Sequence, residues 1–121
     1  MARARIDEAA GMGALRSWAD AAEAAPRDVR ALAVRFTLQA LADRAPGNTV
    51  EMRVPPFGAV QCIAGPRHTR GTPPNVIETD AATWLELATG RLAWAEATAS
   101  GSVHASGLRA NLEGLLPLVR V

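Results

Sequence analysis

Asp80 to Pro117 reads DAATWLELATGRLAWAEATASGSVHASGLRANLEGLLP, and the order of its signals decides the fold. Asp80 is placed to cap a helix carrying Trp84, Leu85 and Leu87, because its carboxylate can accept the free N–H groups of a first turn. Gly90 and Gly101 each follow a short amphipathic segment, at the left-handed position that ends a helix. Ser102 to Ala105 reads as a short strand, with Val103 and Ala105 on one face and His104 on the other. Ser106 is then expected to cap a last apolar helix bearing Leu108, Leu112, Leu115 and Leu116. Nothing in the stretch is chemically reactive. It offers Leu- and Trp-rich surface arranged to curl over a sheet, which suits binding better than reaction.

Working upstream, Val50, Met52 and Val54 alternate with Glu51 and Arg53, the period of a half-buried strand. Pro55-Pro56-Phe57-Gly58 turns the chain into a second strand, Ala59 to Ala64, with Val60 and Cys62 on one face and Gln61 on the other. Gly65 to Pro74 has the Gly and Pro content of a loop, and Asn75 to Thr79 is a third strand. Before the sheet, Pro26 and Asp28 open a helix whose Val29, Leu32, Ala33, Phe36, Ala40 and Leu41 form one apolar stripe, ending at Pro46-Gly47. Residues 6 to 24 read as another helix, Ala-rich and weakened by Gly11 and Gly13, each worth about 1 kcal/mol against Ala.

This order predicts an α+β fold: a mixed sheet of four or five strands covered by helices on one face, with a hairpin and a crossover. The two helices between the third and last strands are expected to set those strands parallel. The expected division is an N-terminal helical extension, residues 1–25, and one domain, residues 26–121.

Composition narrows the function. The chain has 121 residues, enough for one core. Its apolar fraction of 49% includes 26 Ala, so large apolar side chains are fewer than that figure suggests. Net charge is +1, from 13 Arg, no Lys and 12 acidic residues, and no run of like charge marks a nucleic-acid partner. The single Cys62 excludes an internal disulfide framework and fits a reducing, cytoplasmic setting. Met-Ala-Arg-Ala-Arg is basic, but no apolar signal core follows, and no segment approaches membrane-spanning length.

The search for chemistry is mostly negative. Cys62 has no adjacent base or helix N-terminus to activate it and reads as a structural thiol. His68 lies in the Pro/Gly loop and His104 on a strand; with one Cys they lack ligand spacing, so neither a metal nor a cofactor is expected. The acidic residues fall on separate elements and suggest no carboxylate pair, so the chain is not read as an enzyme. Arg67, His68 and Arg70 are the one polar cluster. They could hold a carboxylate or lipid phosphate, or be solvated, or pair with Glu51 or Glu78.

The steps at Asp80, Leu87 to Gly90, Ser100-Gly101 and Ser106-Gly107, with the block VPPFGAVQCIAGPRHTRGTPPNVIETD from Val54 to Asp80, resemble the sterol carrier protein family. The resemblance covers about residues 27 to 118 and looks like an actinobacterial branch of stand-alone members. It implies a hydrophobic tunnel between sheet and helices, and a fatty acid, acyl-CoA, sterol or phospholipid as ligand. Side chains expected to line that tunnel are Leu32, Phe36, Val50, Met52, Val60, Cys62, Ile77, Trp84, Leu85, Trp94, Leu112, Leu115 and Leu116, with Arg67, His68 and Arg70 as candidate headgroup residues. Core packing would use the same apolar residues. The reading is a non-enzymatic lipid carrier, compatible with transient membrane contact. The alternative is a protein-interaction or scaffolding module whose tunnel its own side chains fill, since similar domains are attached to catalytic domains in bacterial proteins.

Overall fold

The computed structural model describes residues 4–66 and 75–121. The elements follow the order α1 (Glu8–Ala21), a single 3-10 turn (Ala22–Ala24), α2 (Arg27–Arg44), β1 (Val50–Val54), β2 (Gly58–Cys62), β3 (Asn75–Thr79), α3 (Ala81–Ala88), α4 (Trp94–Ala99) and β4 (Val103–Ser106). The fold is α+β, with a four-stranded mixed sheet among the described residues.

Local chemistry sets the helix ends. Asp80 accepts from the Thr83 N–H at 2.8 Å and from its hydroxyl at 3.0 Å, so α3 starts where expected. Gly90 and Gly101 have φ near +80°, which a side chain would strain, and they terminate α3 and α4. Asp7 caps α1 through Ala10 N, which leaves Ile6 outside the helix rather than within it. At the other end α1 tightens into the 3-10 turn after Ala21.

Sheet order is β2-β1-β3-β4. β1 and β2 form the antiparallel hairpin. The parallel pair is β1 with β3, while β3 and β4 run antiparallel. The expectation that β3 and β4 would be parallel is therefore wrong. Two helices and their turns can return the chain in either sense, and here α3 and α4 bring it back down against β3.

Met52 pairs with Val60 on one side and Ile77 on the other, and Ile77 pairs with Ala105, so one row of side chains crosses all four strands. Val50, Met52, Val54 and Ile77 are completely buried on the helix-covered face. The opposite face carries Glu51, paired with Arg53, together with Glu78, Gln61 and the exposed His104. Alternation assigns both faces of β1 and β3 correctly; on β4 only Val103 is buried and Ala105 is exposed, because the helices cover one end of that strand.

The last expected helix is absent. From Gly107 to Pro117 the chain runs through turns, with positive φ at Gly107 and Gly114. Side chains take N–H groups that a helix would use: Asn75 Oδ1 accepts from Arg109 N at 3.0 Å, and Asn111 Oδ1 from Glu113 N at 2.8 Å. Leu112 is fully buried, Leu115 and Leu116 half-buried, and Leu108 fully exposed. Beyond them Leu118 N and Val119 N both donate to Ala88 O, tying the tail to the end of α3.

Candidate functional site

Among the described residues, a layer of buried side chains lies between the sheet and the helices. Val50, Met52, Cys62, Ile77, Trp84, Leu85 and Leu112, all expected to line a tunnel, are completely buried in one contiguous cluster. Trp84 anchors it. Its indole N–H donates to Thr37 Oγ1 at 2.8 Å, and that hydroxyl lies against Ala33 O and Val34 O in the preceding turn of α2. A buried indole is thus polar-satisfied while its rings fill the angle between α2 and α3. Cys62 lies at the end of β2 in this layer, and burial pushes its thiol up to about 11. It stays protonated at neutral pH and is no nucleophile.

Of the remaining apolar candidates, Phe36 and Trp94 belong to the same buried cluster. Leu32 and Leu115 are half-buried against the core. Trp94 and Leu116 line a cleft of about 420 Å³ between the turn after α3 and the C-terminal segment. Val60 and Phe36 each line a larger opening beside α2. Arg67, His68 and Arg70 lie outside the described residues.

Two openings flank one strap of chain, residues 4–7. On one side a cleft of about 450 Å³ runs between α2 and β2, walled by Leu38, Ala42, Ala59 and Val60, with Arg35 on its rim. On the other, a cleft of about 700 Å³ lies among α1, α2 and the tail, walled by Met12, Phe36, Ala40, Leu118 and Val119 and by the charged Glu8 and Arg44. Arg5, Ile6, Gln39 and Asp43 border both. The strap is pinned by a reciprocal amide clamp: Ile6 N donates to Gln39 Oε1 at 2.9 Å and Gln39 Nε2 donates to Ile6 O at 3.1 Å. Arg5 adds a fork onto Asp43, at 2.7 and 3.1 Å. Its hydrogen bond holds the Asp43 carboxyl below the usual carboxylate range. That pair is solvent-exposed, and such pairs contribute little to stability.

Sequence reasoning missed this arrangement. Arg5 and Asp43 are 38 residues apart, and Gln39 falls outside the apolar stripe of α2, so no periodic signal connects them. The usable hint was Ile6, an isolated apolar residue just before a capping aspartate.

Helix α1 packs along α2, placing Leu15 and Trp18 in the shared core. Gly11 is where the two helices approach most closely: a β-carbon there would sit 2.2 Å from the Phe36 ring. Arg91 stacks over Trp18 at 5.1 Å from the ring centroid, covering the edge of this core.

Among the described residues no group of His, Cys, Asp or Glu is arranged to hold a metal ion, and no helix is long and apolar enough to cross a membrane. A family model described as "Bacterial SCP ortholog" matches residues 26–118. No curated protein matches the chain.

Proposed function

The chain belongs to this bacterial family of sterol carrier protein orthologues, and from that premise we propose that it is a non-enzymatic cytoplasmic carrier of an acyl lipid held in the clefts beside α2. The observation that supports this most directly is the mainly apolar cleft of about 450 Å³ between α2 and β2, with a more polar opening of about 700 Å³ on the other side of residues 4–7. Volumes of this order match ligand sites, which fall at roughly 300–1,000 Å³. The strap between them is held by one amide clamp and one exposed ion pair, contacts weak enough to part when a chain enters.

Affinity follows from the walls. Burial of a methylene contributes about 0.8 kcal/mol, so ten give roughly 8 kcal/mol, while association costs about 4 to 15 kcal/mol. Only a long acyl chain, or one with a held headgroup, binds usefully. The same arithmetic favours carriage of several related lipids over selection of one.

A second reading, an interaction module with a self-filled interior, is favoured by the complete burial of Met52, Ile77, Trp84 and Leu85 where the tunnel was expected. Native mass spectrometry of protein purified from its own host separates the two. The carrier reading expects a retained acyl lipid, and displacement of a fluorescent fatty acid by hexadecanoate. A bare chain mass, with no displacement up to about 100 μM, a free energy near 5.5 kcal/mol, leaves the interaction module. Arg67, His68 and Arg70 are proposed as one candidate set for binding the lipid headgroup.

A further inference from the structure

Three arginines of α2 converge on the turn between β1 and β2. Phe57, only 6% exposed, lies beneath two of them: the Arg27 guanidinium is 5.1 Å from the ring centroid and that of Arg30 is 6.0 Å. Arg35 reaches the same residue from the other side, donating Nε to Phe57 O at 3.0 Å. Arg30 Nε donates to Ala25 O at 3.2 Å. Each guanidinium carries five N–H donors and stays charged. Among the described residues, no carboxylate pairs with any of the three, and the terminal nitrogens of Arg30 and Arg35 have no protein acceptor. The acid nearest in sequence is Asp28, whose Oδ1 accepts from Val29 N.

Like charges gathered around one ring repel, yet the ring and two carbonyls hold these forks in place. Oriented, unpaired guanidiniums suit a planar carboxylate or a phosphate. Their position gives the site a direction. Arg35 stands on the rim of the cleft between α2 and β2. The other end of that cleft, about 12 Å along α2 at 1.5 Å per residue, is marked by Arg5, whose charge Asp43 already neutralises. One end of an apolar channel is therefore cationic and open, and the other is balanced.

We propose that Arg27, Arg30 and Arg35 around Phe57 form the site for the anionic head, carboxylate or phosphate, of an acyl lipid whose chain lies in the α2–β2 cleft. This rests on the carrier reading. The test uses delipidated full-length protein titrated with hexadecanoate, hexadecan-1-ol and inorganic phosphate. Arg35→Gln should weaken hexadecanoate about tenfold or more, the scale of a charge-assisted hydrogen bond, and leave hexadecan-1-ol unchanged. Since Arg35 also tethers the turn, Arg27→Gln, whose side chain makes no such bond, should show the same selective loss, with thermal midpoints confirming that both variants fold.

Equal losses for the acid and the alcohol would overturn the headgroup assignment in favour of a role in shaping the cleft. No loss for either would overturn it while leaving the carrier intact. Selective loss confined to Arg67→Gln/Arg70→Gln would move the head to the loop. Inorganic phosphate binding that depends on these arginines, with hexadecanoate indifferent to them, would make this a free-anion site and overturn the lipid headgroup. Failure of wild-type protein to bind either hexadecyl compound would remove the carrier reading and this one with it.

Discussion

The two long faces of α2 are built differently. Toward the sheet and α3, Val34, Thr37, Leu38 and Leu41 are buried to 2% exposure or less, and Thr37 holds the Trp84 indole. Toward α1, the strap and the tail, Gln39 and Ala40 are only partly covered, and open clefts adjoin them. One face has side chains of matched volume opposite it, including Trp84, Met52 and Ile77. The other is packed by α1 around Phe36 but is only partly covered by the strap and the tail beyond it. The difference teaches that in this molecule stability is concentrated where α2 meets β1, β3 and α3, while room for a ligand is left along its edges, beside β2 on one side and beside the strap and tail on the other.

The most direct way to break that comparison is at Trp84. Trp84→Ala should destabilise the protein by about 3 to 5 kcal/mol, a large share of the roughly 5–15 kcal/mol available to a domain. Thr37→Val, which keeps the shape but orphans the indole N–H, should cost about 1 to 3 kcal/mol. Urea denaturation measures both. A loss below about 1 kcal/mol for Trp84→Ala would mean that the inner face is not tightly packed, and the tunnel would return to where the sequence put it.

Alkaline pH probes the same layer through Cys62. Burial raises its pKa from 9.0 to about 11, so between those values the unfolded chain releases a proton that the folded one retains. Unfolding is then favoured: the contribution is complete below pH 9 and is lost as pH rises to about 11. Two units correspond to about 2 to 3 kcal/mol. Urea midpoints should fall over this range in the wild type more steeply than in Cys62→Ala, which lacks the titrating group. In native protein at neutral pH the thiol should resist maleimide and react once unfolded. Parallel pH profiles for the two proteins, or rapid native labelling, would show an open inner layer.

The smallest effects sharpen the outer face, where two glycines of α1 should behave oppositely. Gly11→Ala pushes a methyl group into the Phe36 ring and should destabilise by about 1 to 3 kcal/mol. Gly13, with open space around it, should gain about 0.5–1 kcal/mol as Ala. Thermal melts of the pair test whether α1 is seated on Phe36; two stabilising changes would place α1 away from α2.

Much of the architecture was legible because its causes are local. Asp80, Gly90 and Gly101 announce helix ends by hydrogen-bonding capacity and backbone freedom. Period-two alternation placed Met52 and Ile77 inward. The last helix was misread for a non-local reason: the Leu spacing is helical, but Asn75, more than thirty residues upstream, takes the Arg109 N–H. The parallel pairing was misassigned because no strand carries a mark naming its neighbour. The candidate site was the least legible part. Apolar side chains that fill an interior and those that line a cleft have the same chemistry, and the arginines of α2 meet Phe57 of the β1–β2 turn only in the fold.

By itself, then, the sequence determined the element types up to β4, the buried face of the central strands and the family to which the chain belongs, since each depends on neighbours within a few turns or on a spaced pattern of residues. Tertiary structure alone decided that β1 rather than β4 lies parallel to β3, that the Trp84 indole meets Thr37 of α2, and that clefts lie beside α2. Those are questions of volume and of contacts between distant segments. Whether a given leucine meets a tryptophan or an alanine across a gap depends on which elements the fold brings opposite it.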